Sequence, residues 1–506
     1  MPTSLAVSTV LAAALAGAVS LAQAQAPADR PGGAALASYA RARAVLDRAV
    51  KASGGAALSA VKDVTRKGTG TAYNQGQSLR PLDPFSTRTV ELMNALDLAQ
   101  GRAVAETLTT PSGGLSTKTR TVFKGDSGFT HNALTNVVTP ATAGALTGTR
   151  NSLRRDPVAI LASAARRAET LRYLGEDTVE GVKNDVITFA DADGTQVALY
   201  VASGTGLLSK FETVGDNPVL GDTVTETVLS DYRPVAGVQV PFRVVTRVGG
   251  QVTLDAKYTD VKINSGLEAS LLEAPAGAVT LAPAAGPTGV VATKLADDVY
   301  LLGGGSHNSL LVTFADHSLL VEAPLSEDRT QALVAKIDEI APGKPVRDVV
   351  VTHYHFDHSG GLRGWIARGA TIVTTAGNKP FVEAMAAAPH TIRPDELSRA
   401  PKAPVVATFS GKRVFSEGGR VVEIHDVGPN PHVAEMAVAF LPKEGMLFVA
   451  DVFTIPVEGP IAPASPATRQ FAERIQALGL PVQKIVPAHG RIGTMDELRQ
   501  VVSAPR

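Results

Sequence analysis

Hydrophobic and polar positions follow two different rhythms along this 506-residue chain, and the change falls just past its middle. Near the start, "LASYARARAVLDRAVKASGG" places Ala42, Val45, Leu46, Ala49 and Val50 at helical spacing, with Gly54-Gly55 as a stop. From about residue 60 to 265 the texture is mainly β. The runs "VITFA" and "QVALYV" flank Asp193-Gly194, while "FRVVTRV" and "QVTLDAKYTDVKI" flank Gly249-Gly250. Both pairs are strong hairpin signals. One helix interrupts them, "DPVAILASAARRAETL", with Asp156 as the expected N-cap and Pro157 at the first helical position. An antiparallel sheet carrying one or two helices is the expected architecture here.

Residues 274–288, "APAGAVTLAPAAGPT", are rich in Ala, Pro and Gly and read as a linker. Beyond them β-like runs ("VYLLGG", "SLLVTFA", "SLLVEAP", "VRDVVVT") alternate with helical ones such as "RTQALVAKIDEIAP", "GLRGWIARG" and "KPFVEAMAAA". That alternation implies an α/β domain. The chain is also longer than one hydrophobic core usually serves. The expected division is a signal segment at 1–24, a β-rich domain at 30–273, the linker at 274–288 and an α/β domain at 289–506.

Composition narrows the function. An apolar fraction of 44% and a charged fraction of 19% are ordinary for a globular protein. With 48 basic and 48 acidic residues the formal charge is zero, so no electrostatic footprint for nucleic acid is present. Cysteine is absent, which excludes disulfides, thiolate ligands and a Cys nucleophile; any metal site must use His, Asp and Glu. The opening "LAVSTVLAAALAGAVSLAQAQA" is apolar, Ala-rich and ends in overlapping A-x-A sites, as in a secretory signal cleaved after Ala24. Retention as an anchor is the alternative. A periplasmic or secreted protein with no membrane span after cleavage is therefore expected.

The chemistry concentrates in "VTHYHFDHSGG", residues 351–361, which follows the β run "DVVVT". In extended geometry His353 and His355 point the same way and can reach one ion. A turn at Phe356 would send Asp357 and His358 to a neighbouring site. Imidazole and carboxylate without thiolate suit zinc, iron or manganese. Further metal-capable side chains stand at strand exits downstream: His432 in "DVGPNPHVAEM", Asp451 in "GMLFVADVF" and His489 in "KIVPAHGR".

The succession H-x-H-x-D-H, a His in a G-x-x-x-H loop, an Asp after L-F-x-x-D, and A-H-G resembles the metallo-β-lactamase superfamily over about residues 290–500. The resemblance implies an αββα sandwich with the site along one edge. It implies one metal on His353, His355 and His432, a second on Asp357, His358 and His489, and Asp451 between them. Two zinc ions are expected, with iron or manganese as alternatives. Two metals about 3.5–4 Å apart bring a bridging water's pKa toward neutrality, so a bridging hydroxide would attack a small-molecule ester, lactone, thioester or amide. Asp357 would orient it. Glu322, closing "SLLVEAP", stands where the family usually has Asp. An Asp at 451 resembles glyoxalase II-like and lactonase-like members more than β-lactamases, so β-lactam cleavage is less favoured. His355 argues against the di-iron oxygen reductases.

Two other readings remain at this stage. One is an iron-dependent sulfur oxidation enzyme. The other is a carrier whose first domain, with "SDYRPVAGVQVPFRV", resembles the half-barrel of periplasmic lipoprotein carriers and binds a lipophilic ligand beside a non-catalytic metal domain. That first domain could equally be a structural platform or a dimerisation module. His131, His307, His317, His390 and His425 read as structural residues, although "GGGSHNS" around His307 could border the cleft.

Overall fold

The computed structural model describes residues 33–111, 116–283, 286 and 289–504. The expected signal segment therefore lies outside the described residues, as do 284–285 and 287–288 of the linker. No helix among the described residues is long and apolar enough to cross a membrane.

The first helix, Ala34–Ala52, buries Ala42, Val45, Leu46 and Ala49, the stripe its spacing predicts. That stripe meets Ile187, Phe189, Leu199, Val201 and Val240 in one core. These come from a 14-stranded sheet in which strand Asp63–Asn74 pairs antiparallel with both Ser86–Asp97 and Gln251–Ile263. The first and last long strands of the domain are thus neighbours, with two meanders fanning out on either side. Both expected hairpins form: Val182–Ala190 pairs with Gln196–Ala202, and Val238–Val248 pairs with Gln251–Ile263.

One helix differs from the sequence reading. The α-helical part of that stretch is Ile160–Arg166, a separate helix Ala143–Arg154 precedes it, and Asp156 caps neither. Its carboxylate instead takes both Nη atoms of buried Arg66, at 2.7 and 2.8 Å, and also accepts from Val158 N. The bidentate pair holds residues 156–159 in a turn, so the helix starts at Ile160.

The second half is an αββα sandwich. Its seven-stranded sheet runs from Val291–Ala296 to Val405–Phe409, and its six-stranded sheet from Lys412–Glu417 to Gly493–Thr494. Val312, Leu319, Val321, Val350, Ile424, Ala439, Phe448 and Val486 fill the space between them. Helices Glu327–Ile340 and Leu362–Ala367 cover one outer face through Leu333, Ile337, Trp365 and Ile366. Pro466–Leu478 and Met495–Ser503 cover the other through Phe471, Ile475 and Leu498. Along one edge, backbone bonds from Ala437 N to Thr352 O and from Asn308 N to Ala488 O, both 2.7 Å, tie the two sheets together. The site lies at that edge.

Candidate metal centre

Three strands end here. Val346–Val350 leads into Thr352-His353-Tyr354-His355, Met446–Val449 into Ala450-Asp451, and Lys484–Pro487 into Ala488-His489. The extended backbone brings the His353 and His355 rings to 4.5 Å. A one-turn helix starting at Phe356 then redirects Asp357 and His358. Glu322 (φ 77°) and Asp451 (φ 53°) both adopt left-handed backbone, a conformation seldom used by such residues and one that collects at functional sites.

The donor atoms form two groups. His353, His355, His432 and Asp451 make one; His307, Asp357, His358 and His489 make the other, with donors in each group within 4.8 Å of one another. Asp451 joins them. Its Oδ2 lies 3.0 Å from His432 Nε2 and 3.6 Å from His353 Nε2, whereas Oδ1 lies 2.8 Å from both His358 Nε2 and His489 Nε2. His353, His355 and His358 are fully buried, while Asp357, His432 and His489 are partly open and give the site its mouth.

The imidazole protons are assigned by their outer partners. Ser78 O accepts from His355 Nε2 (3.0 Å), which leaves Nδ1 as the lone pair. Ser306 O accepts from His489 Nδ1 (2.8 Å), leaving Nε2. Glu322 Oε2 takes His358 Nδ1, again leaving Nε2. His353 Nδ1 meets Thr352 Oγ1 at 3.0 Å. Such outer bonds fix ligand orientation and basicity at metal sites. Of the inward atoms, His355 Nδ1 is buried with no partner, while His358 Nε2 and Asp451 Oδ1, also buried, face each other at 2.8 Å without a hydrogen bond. Orphaned lone pairs converging on one volume are costly unless a cation satisfies them. The donor set therefore fits divalent metal ions of the N/O-binding class.

For His353 and His355 electrostatics agrees. Burial, then the neighbouring imidazoles, pushes His353 well below its ordinary value, and burial with His432 brings His355 down to about 3. Both stay neutral, the form a metal requires. His358 differs: burial works against its charge, but Glu322 and Asp451 outweigh it and hold the ring well above its usual value, so a metal at Nε2 would have to displace the proton there. Burial likewise disfavours charge on Asp451 and Asp357. The facing imidazoles overcome it in each and keep both carboxyls well below the usual range.

The structure thus brings His353, His355, Asp357, His358, His432, Asp451 and His489 to one place, together with His307, which the sequence reading took as structural with a place at the cleft border as its alternative. His307 is no structural histidine. Its Nε2 is 3.3 Å from Asp357 Oδ2, its ring is 4.2 Å from that of His489, and burial lowers its pKa. The only signal was its place in a Gly-rich turn between two buried strands. His131, His317, His390 and His425 stay outside, paired with Asn136, Asp316, Asp216 and Glu423. Gln77, Ser78 and Ser306 gave no sequence signal; Gln77 Nε2 donates to Asp357 Oδ1 at 2.6 Å.

Residues 302–489 match the family model of the metallo-beta-lactamase superfamily, and the αββα region has that fold. Similar solved structures include a metallo-beta-lactamase from Pontibacter korlensis, at 23% identity over 42% of this chain and 97% of that one, TM-score 0.33. The FIM-1 metallo-beta-lactamase of Pseudomonas aeruginosa, in its mono-zinc form, is 19% identical over 42% of this chain and 93% of its own, TM-score 0.33.

Proposed function

We propose that this protein is an exported, dinuclear zinc-dependent hydrolase of a small ester, lactone, thioester or amide. One observation carries the reading: the two oxygens of Asp451 face two separate sets of donors. His353, His355 and His432 would hold one ion, and Asp357, His358 and His489 the other, with His307 beside it. When bound, such a pair supplies Lewis acidity that makes water a nucleophile near neutral pH and polarises a carbonyl.

The chain's own groups do the rest. Asp357 remains a carboxylate, with Oδ1 occupied by Gln77 and Oδ2 turned toward His307 and His358, so it orients rather than titrates. Fully buried His353, His355 and His358 form a dry floor that excludes bulk water from one side. Substrate must then arrive through the mouth beside His432, His489 and Asp357. Export rests on the apolar, Ala-rich start of the chain ending in A-x-A.

Metal stoichiometry by mass spectrometry of the purified protein, followed by a panel of lactone, thioester, β-lactam and aryl-sulfate substrates, tests the proposal. About two zinc ions per chain and turnover of an acyl substrate are expected. A single iron with no hydrolysis would overturn it in favour of oxidative chemistry.

A further inference from the structure

The loop between strands Asp63–Asn74 and Ser86–Asp97 belongs to the first domain, yet it lies against the metal-binding segments of the second. Phe356 N donates to Gly76 O (3.3 Å), Tyr354 Oη to Ser78 O (2.6 Å) and Arg80 O (3.1 Å), and Ala434 N, two residues past His432, to Leu79 O (2.8 Å). Two further contacts reach the donor residues themselves. Ser78 O accepts the His355 Nε2 proton, and Gln77 Nε2 donates to Asp357 Oδ1 at 2.6 Å.

We propose that this loop of the first domain is part of the metal centre, with Gln77 and Ser78 as its positioning residues. The inference rests on the metal-hydrolase reading above. A carboxylate free to rotate offers either oxygen to an ion. Gln77 occupies Oδ1, so Oδ2 is the atom turned toward His307 and His358. A histidine likewise has two candidate nitrogens. The Ser78 carbonyl can only accept, so it selects Nδ1 of His355 as the ligand atom.

The loop is built to hold this pose. Ser78 is 3% exposed, its Oγ donates to Pro84 O (3.1 Å), and Ser86 Oγ donates to Gln77 O (3.2 Å). Gly76 (φ +70°) permits the close approach, since a Cβ there would sit 2.3 Å from the Phe356 ring. The first domain therefore serves the chemistry directly, beyond any role as a platform or carrier.

Three variants of the full-length protein test this: Gln77→Ala, Gln77→Glu and Gly76→Val. Gln77→Glu keeps length and volume but removes the donor. The readouts are zinc affinity by chelator competition, the visible spectrum of the cobalt-substituted protein, and the melting temperature of the metal-free form. Both Gln77 variants should weaken one of the two zinc ions by about 10–100-fold, the usual cost of losing an outer-shell partner, and alter the cobalt bands. Metal-free melting should be unchanged in Gln77→Ala and lowered in Gln77→Glu, whose carboxylate would face that of Asp357. Gly76→Val, by lifting the loop, should weaken the ion held by His355 as well. If wild type binds two zinc ions and the Gln77 variants bind them with wild-type affinity and spectrum, the proposal fails while the hydrolase reading stands. If wild type binds none, the hydrolase reading itself fails. Should Gly76→Val not fold, the two Gln77 variants decide alone.

Discussion

Glu322 braces His358 and the ligand-bearing backbone at once: Oε1 accepts the Thr352 amide at 2.9 Å while Oε2 takes His358 Nδ1. Both partners are donors, and the carboxylate is fully buried. Glu322→Gln keeps the shape but supplies only one acceptor, so one donor faces an N–H₂. An unsatisfied buried donor costs about 1–3 kcal/mol, and an outer-shell partner of a metal-binding histidine about 10–100-fold in metal affinity. Urea denaturation of the metal-free variant and chelator competition measure the two effects separately. Unchanged values in both would mean that the observed contacts carry no energy.

Glu322 also marks what the sequence could tell. Its place at the end of "SLLVEAP" was readable, but which imidazole it meets depends on how two sheets abut. The strand exits that carry His353, Asp451 and His489 were legible because apolar runs ended there in turn residues. The α/β alternation was legible for the same reason, whereas the αββα layering was implied only by the resemblance that the metal motifs carry. Asp156 misled because a cap signal is local, whereas its actual partner, Arg66, arrives from 90 residues upstream. Gln77 and Ser78 left no trace at all: they act on Asp357 and His355 from 280 and 277 residues away, and Ser78 does so through backbone. Periodicity and spacing cannot report such contacts.

Gly490, the last residue of "AHG", is required by geometry as well as by conformation. Its φ is +82°, and an added Cβ would lie 1.9 Å from Ile455 O. Its own carbonyl accepts from Asn308 Nδ2 at 3.1 Å. Gly490→Ala should therefore destabilise by more than the ~1 kcal/mol typical of Ala at positive φ and displace His489 next to it. A thermal-shift measurement with and without zinc checks this. A larger loss in the zinc-loaded form is expected, because the folded protein alone carries the ordered donors.

Arg363 and Asp395 form a buried pair whose side chains are 4% and 7% exposed. Burial disfavours the Asp395 charge, but Arg363 and the Ser398 hydrogen bonds outweigh it and hold the carboxyl well below the usual range. A depressed folded value means the contribution is present above the unfolded pKa, near 3.9, and is lost as pH falls below it. Removing one partner of such a pair costs about 3–5 kcal/mol. Asp395→Asn should show that deficit at pH 7, and the gap to wild type should narrow below about pH 4. Denaturant melts at both pH values measure it; a gap constant down to pH 3 would contradict a charged pair.

Asp451→Asn tests the bridge itself. Asparagine retains one oxygen lone-pair donor and replaces the other oxygen with an N–H₂, which cannot ligate. Because Oδ2 faces His432 and His353 while Oδ1 faces His358 and His489, only one of the two groups can keep its carboxamide oxygen. The variant should fold, since the substitution is isosteric, and native mass spectrometry should find one tightly held zinc in place of two. Affinity for the lost ion should fall by more than the roughly 10–100-fold cost of an outer-shell change, because a direct ligand is removed. Hydrolysis should fall with it, and added zinc should restore part of the rate only at concentrations that refill the second group. Retention of two tightly bound ions would show that the Asp451 carboxylate does not join the groups, and that each is closed by its own histidines.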